Sequence, residues 1–564
     1  MTTFAVVATV VLVLLLVNIY ITNMSDDKRF LTNYVRSCAS RLANAKPEDE
    51  LSCYRDDLLC RASVFDYVRG LNSDHVIILN KGKDRLTEFK ATHQGMVVFY
   101  VDDPYSSTCR STSNDDISHI RSQKNVALFV SDNINSDGVD ECVFHWPIGL
   151  ESRMAKDIEL KEYFLNNVRK SDANDRNSKV LCNAHLSTYP SPASGLRPDR
   201  LDMLNDLHTQ SPNVVFWEHR KSRRDCFDEM VRYNTELCPE GNGIDTHRFY
   251  EAFALGEIPI VRRGMCERIH TQFANTQVVD EWVDVLELDL PRLQQSMPWP
   301  QRMENLRLST WLYKALRGRC RIVTFFTRKL CDEWRNLAAS LRKVGLLDLL
   351  LVYVLDEASD KCVREFSSEV EIRRHFISNQ EGGDFGSGNF NKLMMRKLEI
   401  ILEVVREGFF TFYLDSDIVV LGDIVQDYFT LPPRALHIQS DQNRFTDKKY
   451  TPDGKVMDTS LCAGCMFFTP SKTSIRILEA AIVAFPSCTT MDDQCAVNKV
   501  LASEHDYDAL CQLRYINGSR YFDNPERESL HPSILLIHNN WIVGVEAKEK
   551  RFKDFNLWFL QEQT

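Results

Sequence analysis

Apolar and polar positions along this chain alternate in blocks, and the blocks predict its elements. The first block, FAVVATVVLVLLLVNIYIT from Phe4 to Thr22, carries no charged side chain. It is long enough to cross a bilayer as a helix, with Tyr20 suited to the wet edge. A cleaved signal peptide is the alternative, although no small-x-small cleavage site follows and no basic stretch precedes. From Ser25 the chain turns polar, which predicts a stem over 25–74. From His75, the short apolar runs HVIILN, GMVVFYV, NVALFVS, KVLCNAH, NVVFW and GEIPIVRR alternate with amphipathic stretches. Strands separated by helical segments predict an α/β unit with a mostly parallel sheet. A second series, CRIVTFF, LLLVYVLD, FFTFYLDSDIVVLGD, RALHIQSD, GCMFFTP and SILLIHNN, begins at Cys320. Between the two lies a stretch rich in Pro, Gln and Arg, Asp289 to Ser309. This predicts a first unit over 75–300, a linker over 301–318 and a second unit over 319–564.

Composition narrows the function classes. The net charge of −11 and the lack of a long basic run argue against a nucleic-acid surface. An anionic small ligand stays compatible, since a few local cations and a metal can hold a diphosphate on an acidic protein. The charges after the apolar run, Asp26 to Arg29, are of both signs and do not orient it. Seventeen cysteines would pair in part in an oxidising lumen, the odd count leaving at least one over. Cys462-x-x-Cys465 has ligand spacing but no second pair to complete a zinc site. Asn517-Gly518-Ser519 is a glycosylation sequon consistent with luminal exposure, whereas the sequon at Asn23 adjoins the apolar run.

The candidate chemistry centres on Asp415-Ser416-Asp417, which closes the apolar stretch FFTFYL. Two carboxylates at the end of a buried strand are costly unless a cation or donors neutralise them. The intervening residue points away, so the pair can share one hard cation whose shell a diphosphate completes. Phosphatases of the haloacid dehalogenase class also carry D-x-D-x-(T/V) after a strand, and Asp415 to Val419 formally fits. In that class the motif strand opens the catalytic domain, but here nearly a hundred residues of α/β pattern precede it from Cys320.

The segment FGSGNFNKLMMRKLEIILEVVREGFFTFYLDSDIVVLGDI resembles the nucleotide-diphospho-sugar transferase family that includes rhamnogalacturonan xylosyltransferases and extensin arabinosyltransferases. Lys397 matches the family's lysine on the preceding helix. Gly464 and its neighbours match the N-T/S-G strand, except that Cys462 replaces the usual asparagine and puts one sugar-side hydrogen bond in doubt. MDDQCAVN carries D-Q-x-x-x-N as Asp493, Gln494 and Asn498. HNNWIVGVEAKEKRF resembles H-x-N-W-x-x-G through His538, Asn540, Trp541 and Gly544. The resemblance implies a GT-A domain using Mn2+ or Mg2+ at Asp415, Asp417 and His538, with Lys397 and Gly544 on the donor side; Lys548, Lys550 or Arg551 would neutralise the leaving diphosphate, a solvated charged face being the alternative for that run. Thr324 to Phe326 and Asp356 would meet base and ribose. The implied reaction moves sugar from a nucleotide-sugar, UDP-sugar foremost, to a glycan or glycoprotein acceptor with retention. Asp493 or Asp492 would be nucleophile or electrostatic support and Gln494 would line the β-face, while a front-face route would need no nucleophile.

In the first unit, ELCPEGNGIDTHRFYEAFALGEIPI resembles the exostosin-type signature and implies a GT-B-like, Rossmann-type domain. Gly241 and Gly243 would let backbone approach phosphate, Arg248 and Arg197 would add charge, and Glu251 would clasp ribose. No metal is expected there. The span is short for two Rossmann-like halves, which implies a trimmed N-terminal half, and His145 is the candidate base. A degenerate domain kept as scaffold is the alternative. The expectation for the whole chain is a tandem transferase, single-pass type II in the Golgi or ER membrane with both units luminal. Its rival in class is a sugar-binding pseudo-transferase.

Overall fold

The structure of the chain is a computed structural model describing residues 54 and 57–560, apart from 82, 103–110, 135–141, 174–175, 184–202, 204–205, 208–211, 217–220, 241–244, 265, 294, 296, 377–387, 442–448, 451–455, 458–460, 489–491 and 525–533. The apolar run Phe4–Thr22 therefore lies outside the described residues, and no described helix is long and apolar enough to cross a membrane.

Helix α1 (Arg61–Gly70) leads into β1 (Val76–Asn80), β2 (Met96–Val101), β3 (Val126–Ser131) and β4 (Val143–His145). These four pair in sequential order, all parallel. The expected stem must be corrected here, because Leu58 to Leu71 pack into the core through Val64, Phe65 and Val68. Polarity hid this. Arg61 is buried, with Nε 2.8 Å from Asp132 and a second nitrogen 3.4 Å from Asp102, so its charge is answered inside the protein.

Helix α2 (Ile158–Lys170) precedes a second parallel sheet of β5 (Asn177–Cys182), β6 (Val214–Phe216), β7 (Tyr233–Leu237), β8 (Ile258–Arg262) and β9 (Gln277–Val279). Its order is β6-β5-β7-β8-β9, with α3 (His247–Ala254) between β7 and β8. The predicted linker is not a solvated tether. It folds into α4 (Trp299–Glu304) and α5 (Leu308–Leu316), whose Met303, Trp311, Leu312 and Leu316 are buried in one continuous core with all three main sheets. Trp311 meets Phe144, Trp146 and Phe273 of the first unit, while Tyr313 donates to Asp423 of the second at 2.7 Å.

The third sheet is built from β10 (Cys320–Phe326), β11 (Leu350–Val354), β12 (Glu371–Arg374), β13 (Phe410–Leu414), β15 (Leu436–Ser440), β18 (Leu461–Phe468) and β19 (Tyr507–Ala509). Its order is β12-β11-β10-β13-β18-β15-β19, and β18 runs antiparallel to both its neighbours. A small sheet of β14 (Ile418–Val420), β20 (Tyr515–Asn517) and β21 (Leu536–His538) and a ribbon of β16 (Lys449–Tyr450) with β17 (Val456–Met457) complete the strands. Helices α6 (Cys331–Lys343), α7 (Gly388–Arg406), α8 (Lys472–Ala484), α9 (Asp493–Leu501) and α10 (Val545–Asp554) surround them. The β13 sequence is apolar at every position but Thr411 because both faces are covered. Phe410, Phe412 and Leu414 enter the large core, and Tyr413 enters the one beneath α7 and α8. The chain steps from β10 to β11 and β12 on one side, then to β13 on the other, which opens a crevice at the carboxyl ends of β10 and β13.

No disulfide joins two of the described cysteines, and Cys38, Cys53 and Cys109 lie outside the described residues. Cys331 and Cys362 are hydrogen-bond neighbours, as are Cys488 and Cys495.

Candidate functional site

Asp415 follows β13 into that crevice, and its N–H donates to Gly464 O of β18 at 2.8 Å. Asp417 precedes β14, where Ile418 stands opposite His538 of β21. This pairing brings the two carboxylates and the imidazole together. One ligand atom from each lies within 4.8 Å of the others. His538 Nε2 is 3.3 Å from Asp417 Oδ1 and 3.9 Å from Asp415 Oδ2. Gly464 makes room for them, since a Cβ there would collide with the His538 ring and sit 2.7 Å from Asp415 Oδ2. The cradle fits a divalent cation of the manganese or magnesium kind, with two carboxylates and one imidazole as donors.

Two lysines balance the carboxylates. Lys397 Nζ from α7 donates to Asp415 Oδ1 at 3.0 Å and lies 2.7 Å from Asp493 of α9. Lys548 Nζ from α10 donates to Asp417 Oδ2 at 2.6 Å. Tyr413 OH, two residues before Asp415 on β13, donates to the same Oδ1 at 2.6 Å. Burial opposes ionisation of Asp417, but Lys548 and His538 hold its carboxyl well below the usual range. Burial also opposes charge on His538, yet Cys462 and Asp417 at its two nitrogens raise it well above the ordinary imidazole value. His538 Nδ1 lies 2.9 Å from Gln439 Oε1 and 3.5 Å from Cys462 Sγ. Gln439 Oε1 can only accept, so it fixes the proton on Nδ1 and turns Nε2 to the carboxylates. Cys462, in place of the usual asparagine, contacts the histidine and, at 3.8 Å, Asn540 Nδ2.

Some expected residues are brought to this point and others are not. Asp493 is present but buried against Lys397; burial raises its pKa while Lys397 lowers it. Gln494 Nε2 donates to Asp441 at 2.9 Å, and Asp441 also accepts from Trp541 at 3.1 Å and Asn540 at 3.3 Å. Asp492 is corrected to a helix cap, its carboxylate accepting Cys495 N–H at 2.6 Å. Asp356 caps the helix Glu357–Phe366 through Ser359 N–H and accepts Arg328 N–H, so both its oxygens are engaged. Thr324 is fully buried mid-strand, its hydroxyl without a partner among the described residues. Lys550 points outward and pairs with Asp554 one turn on. Gly544 heads α10 with φ of 100°, a conformation only glycine adopts freely, and a Cβ there would meet open space. Asn517 is 2% exposed with its amide directed to Ser440 O, so the expected glycan at this sequon has no room in the folded chain.

Glu333, Gln439, Tyr413 and Asp441 escaped the sequence reading. Glu333, in the first turn of α6, is buried with both carboxylate oxygens unpartnered among the described residues. Burial pushes it up to about 7, with Asp417 adding to the rise and Lys548 opposing it. For Tyr413 the signal was available, since two-residue periodicity puts it on the face of Asp415.

The first unit treats its expected residues differently. Arg197, Gly241 and Gly243 lie outside the described residues. Glu251 is 3% exposed and tied to Arg223, which also reaches Glu151 at 2.7 Å. Arg248 is held by Asn183 and lies 3.5 Å from Glu236. In this arrangement Arg223 engages Glu251, while Asn183 and Glu236 face Arg248. Burial pushes Glu236 up to about 8 beside Glu257, whose pKa is raised in the same way. His145, the candidate base, is buried, and burial lowers its pKa to about 4. A group that acidic is a weak proton acceptor.

Three parallel strands, β10 to β12, precede the Asp415 strand, which does not suit the phosphatase alternative. Comparison with known proteins then shows what the C-terminal region is similar to. Residues 345–552 match the nucleotide-diphospho-sugar transferase family. The matched span holds every side chain around Asp415 described above except Glu333. Over 205 residues the chain is 29% identical to a UDP-D-xylose:L-fucose alpha-1,3-D-xylosyltransferase of Arabidopsis thaliana, covering 33% of this chain and 55% of that protein. Over 215 residues it is 24% identical to a UDP-galactose:fucoside alpha-3-galactosyltransferase of Dictyostelium discoideum, covering 33% and 31%. The chain thus spans about half or less of these relatives. A solved galactosyltransferase, LgtC with donor and acceptor sugar analogs, aligns over 43% of this chain and 98% of its own at 13% identity and a TM-score of 0.30.

Proposed function

We propose that this chain is a glycosyltransferase that moves a sugar from a UDP-sugar to a glycan acceptor in an α-linkage, at the crevice of Asp415, Asp417 and His538. The observation that carries the reading is the meeting of these three ligands within 4.8 Å, inside the span matched by the transferase family. The relatives' printed names supply the donor class and the linkage. A divalent cation held by the triad would neutralise the donor's diphosphate and stabilise charge developing on it.

The chain's own residues have separable tasks. Gln439 orients His538 so that Nε2 stays available. Lys397 compensates Asp415 and Asp493 together, so Asp493 supports positive charge at the sugar rather than offering a free carboxylate to attack it. Lys548 is the nearest cation for the leaving diphosphate once Asp417 is otherwise occupied. Gln494, Asp441, Asn540 and Trp541 form a connected polar wall suited to sugar hydroxyls. In this reading Phe4–Thr22 anchors the chain with both units in the Golgi lumen, and the first unit positions the acceptor as scaffold. The locked state of Arg248 and Glu251 favours that scaffold role over a second transfer site.

A screen of UDP- and GDP-sugars with Mn2+ tests the reading by donor hydrolysis and by transfer to fucosylated glycans. Turnover of one UDP-sugar, abolished by chelation, is expected. Turnover of none, or turnover indifferent to chelation, overturns it. Protection of the mass of the chain from protease in sealed microsomes tests the orientation.

A further inference from the structure

The loop between β21 and α10 carries an exposed aromatic side chain beside the Asp415 crevice. Trp541 is 55% exposed, while the other described tryptophans are buried or half-buried. Its backbone sits at φ of 60°, a left-handed conformation that bulky side chains avoid. Such a backbone persists only where its surroundings hold it, and here they do. Asn539 N–H donates to Asp417 O at 2.9 Å, and the Asn539 amide donates to Lys548 O at 2.9 Å. Asn540 Oδ1 accepts Gly518 N–H at 2.7 Å, and Asn540 O accepts from Arg551 at 3.3 Å. Asn540 Nδ2 also lies 3.8 Å from Cys462 Sγ, itself 3.5 Å from His538. The loop is fastened to the metal ligands on one side and to α10 on the other.

The indole is held by its edge. Its Nε1–H donates to Asp441 Oδ1 at 3.1 Å, and Asp441 accepts Gln494 Nε2 at 2.9 Å through its second oxygen. Among the described residues no ring or cation stacks on either face of Trp541. An indole left in water forgoes the burial that usually stabilises it, so a ring both exposed and held still is a surface for a partner. The sheet order indicates which partner. Asp441 follows β15, which lies two strands beyond β13 on the side away from β10. The parallel strands β10 to β12 lie on the opposite side, and a nucleotide meets an α/β sheet at the carboxyl ends of such strands. Trp541 is therefore tied to the half of the crevice remote from the nucleotide.

Given the transferase reading above, we propose that Trp541 is the acceptor platform, its indole face taking the apolar C–H face of a neutral pyranose ring. The electron-rich face of an indole attracts partly positive C–H groups and repels anions. Asp441 at the ring's edge accepts from sugar hydroxyls and adds to that repulsion, so a neutral pyranoside is favoured over a uronic acid. The fixed loop matters because a platform that is already ordered loses little entropy when the acceptor lands.

The test uses the full chain with Mn2+, each UDP-sugar that the donor screen turns over, and a panel of methyl pyranosides, methyl uronates and serine peptides as acceptors. Trp541→Ala should raise the KM for the best methyl pyranoside on the order of tenfold, far more than it shifts the KM for the UDP-sugar. Trp541→Phe should recover most of that loss, which a merely structural role would not predict. Melting curves confirm that both variants fold, as expected for a side chain that is more than half exposed. An acceptor KM that Trp541→Ala leaves unmoved, or one that moves no more than the donor KM, overturns the proposal while leaving the transferase reading in place. So does a preference for the uronates or the peptides. Absence of any UDP-sugar turnover in the unaltered chain overturns the transferase reading, and the platform with it.

Discussion

The acids beside Asp415 and those beside Glu251 look alike as lists of residues, and the difference between them lies in what faces them. In the C-terminal unit, Asp415 is 33% exposed at the mouth of a crevice, and its partners Lys397 and Tyr413 take a single oxygen, Oδ1. Oδ2 stays open toward His538. In the first unit, Glu251 is 3% exposed and Arg223 closes over it, while Glu236 and Glu257 lie fully buried beside each other. Half-satisfied charge at a strand end is open to a ligand, whereas the Glu251 carboxylate is enclosed with Arg223 as its partner. On the proposed reading, the same contrast separates a site from a scaffold in one chain.

The comparison breaks most sharply through the aspartates. Asp415→Ala with Asp417→Ala should lower transfer on the order of 10³-fold or more while the chain stays folded, read by donor turnover and by circular dichroism. Lys397→Met should instead strike stability, by about 3–5 kcal/mol in denaturant melts, because Asp415 and Asp493 lose their shared cation. Arg223→Ala should cost about 1–3 kcal/mol of stability in the same assay and leave kcat unchanged, since Glu251 then lies uncompensated. A fall in kcat would instead make the first unit a site. Gln439→Leu should weaken metal binding about 10–100-fold with little change in folding, measured by calorimetric titration of Mn2+.

The smallest effect concerns pH. Glu333 is raised from its ordinary 4.5 to about 7, so the folded chain binds that proton more tightly than the unfolded chain. Its contribution to stability is complete below 4.5 and is lost as pH rises through about 7. Glu333→Gln should flatten that slope and stabilise the chain at pH 8 by about 1–3 kcal/mol, seen as a higher Tm there than for the unaltered chain.

Much of the C-terminal unit was legible in the sequence. The buried strands announce themselves as unbroken apolar runs, and the aspartates stand where β13 ends. His538 and Lys397, far apart in sequence, were reached only through family motifs. What stayed hidden was pairing. Nothing in Asp492, Lys550 or Asp356 reveals whether a carboxylate or ammonium faces the crevice, a cap or solvent, because one residue of rotation about a helix decides it. Glu333 was hidden for the same reason. In the first unit the error ran the other way. Arg61 and Arg302 fall within the spans expected as stem and linker, yet they are buried beside Asp132 and Asp172, and charge answered across long sequence separation leaves no local pattern. The sequon at Asn517 failed because three residues specify a glycan's attachment but not the exposure it needs.

The central claim is that Asp415, Asp417 and His538 form a metal-dependent site for a nucleotide-sugar. Calorimetric titration of UDP into the full chain, with and without Mn2+, tests it directly, with the Asp415→Asn/Asp417→Asn variant run alongside. The account predicts UDP binding that appears only with Mn2+ and disappears in the variant while its melting curve stays intact. Binding of equal strength without metal, or preserved in the folded variant, would contradict it.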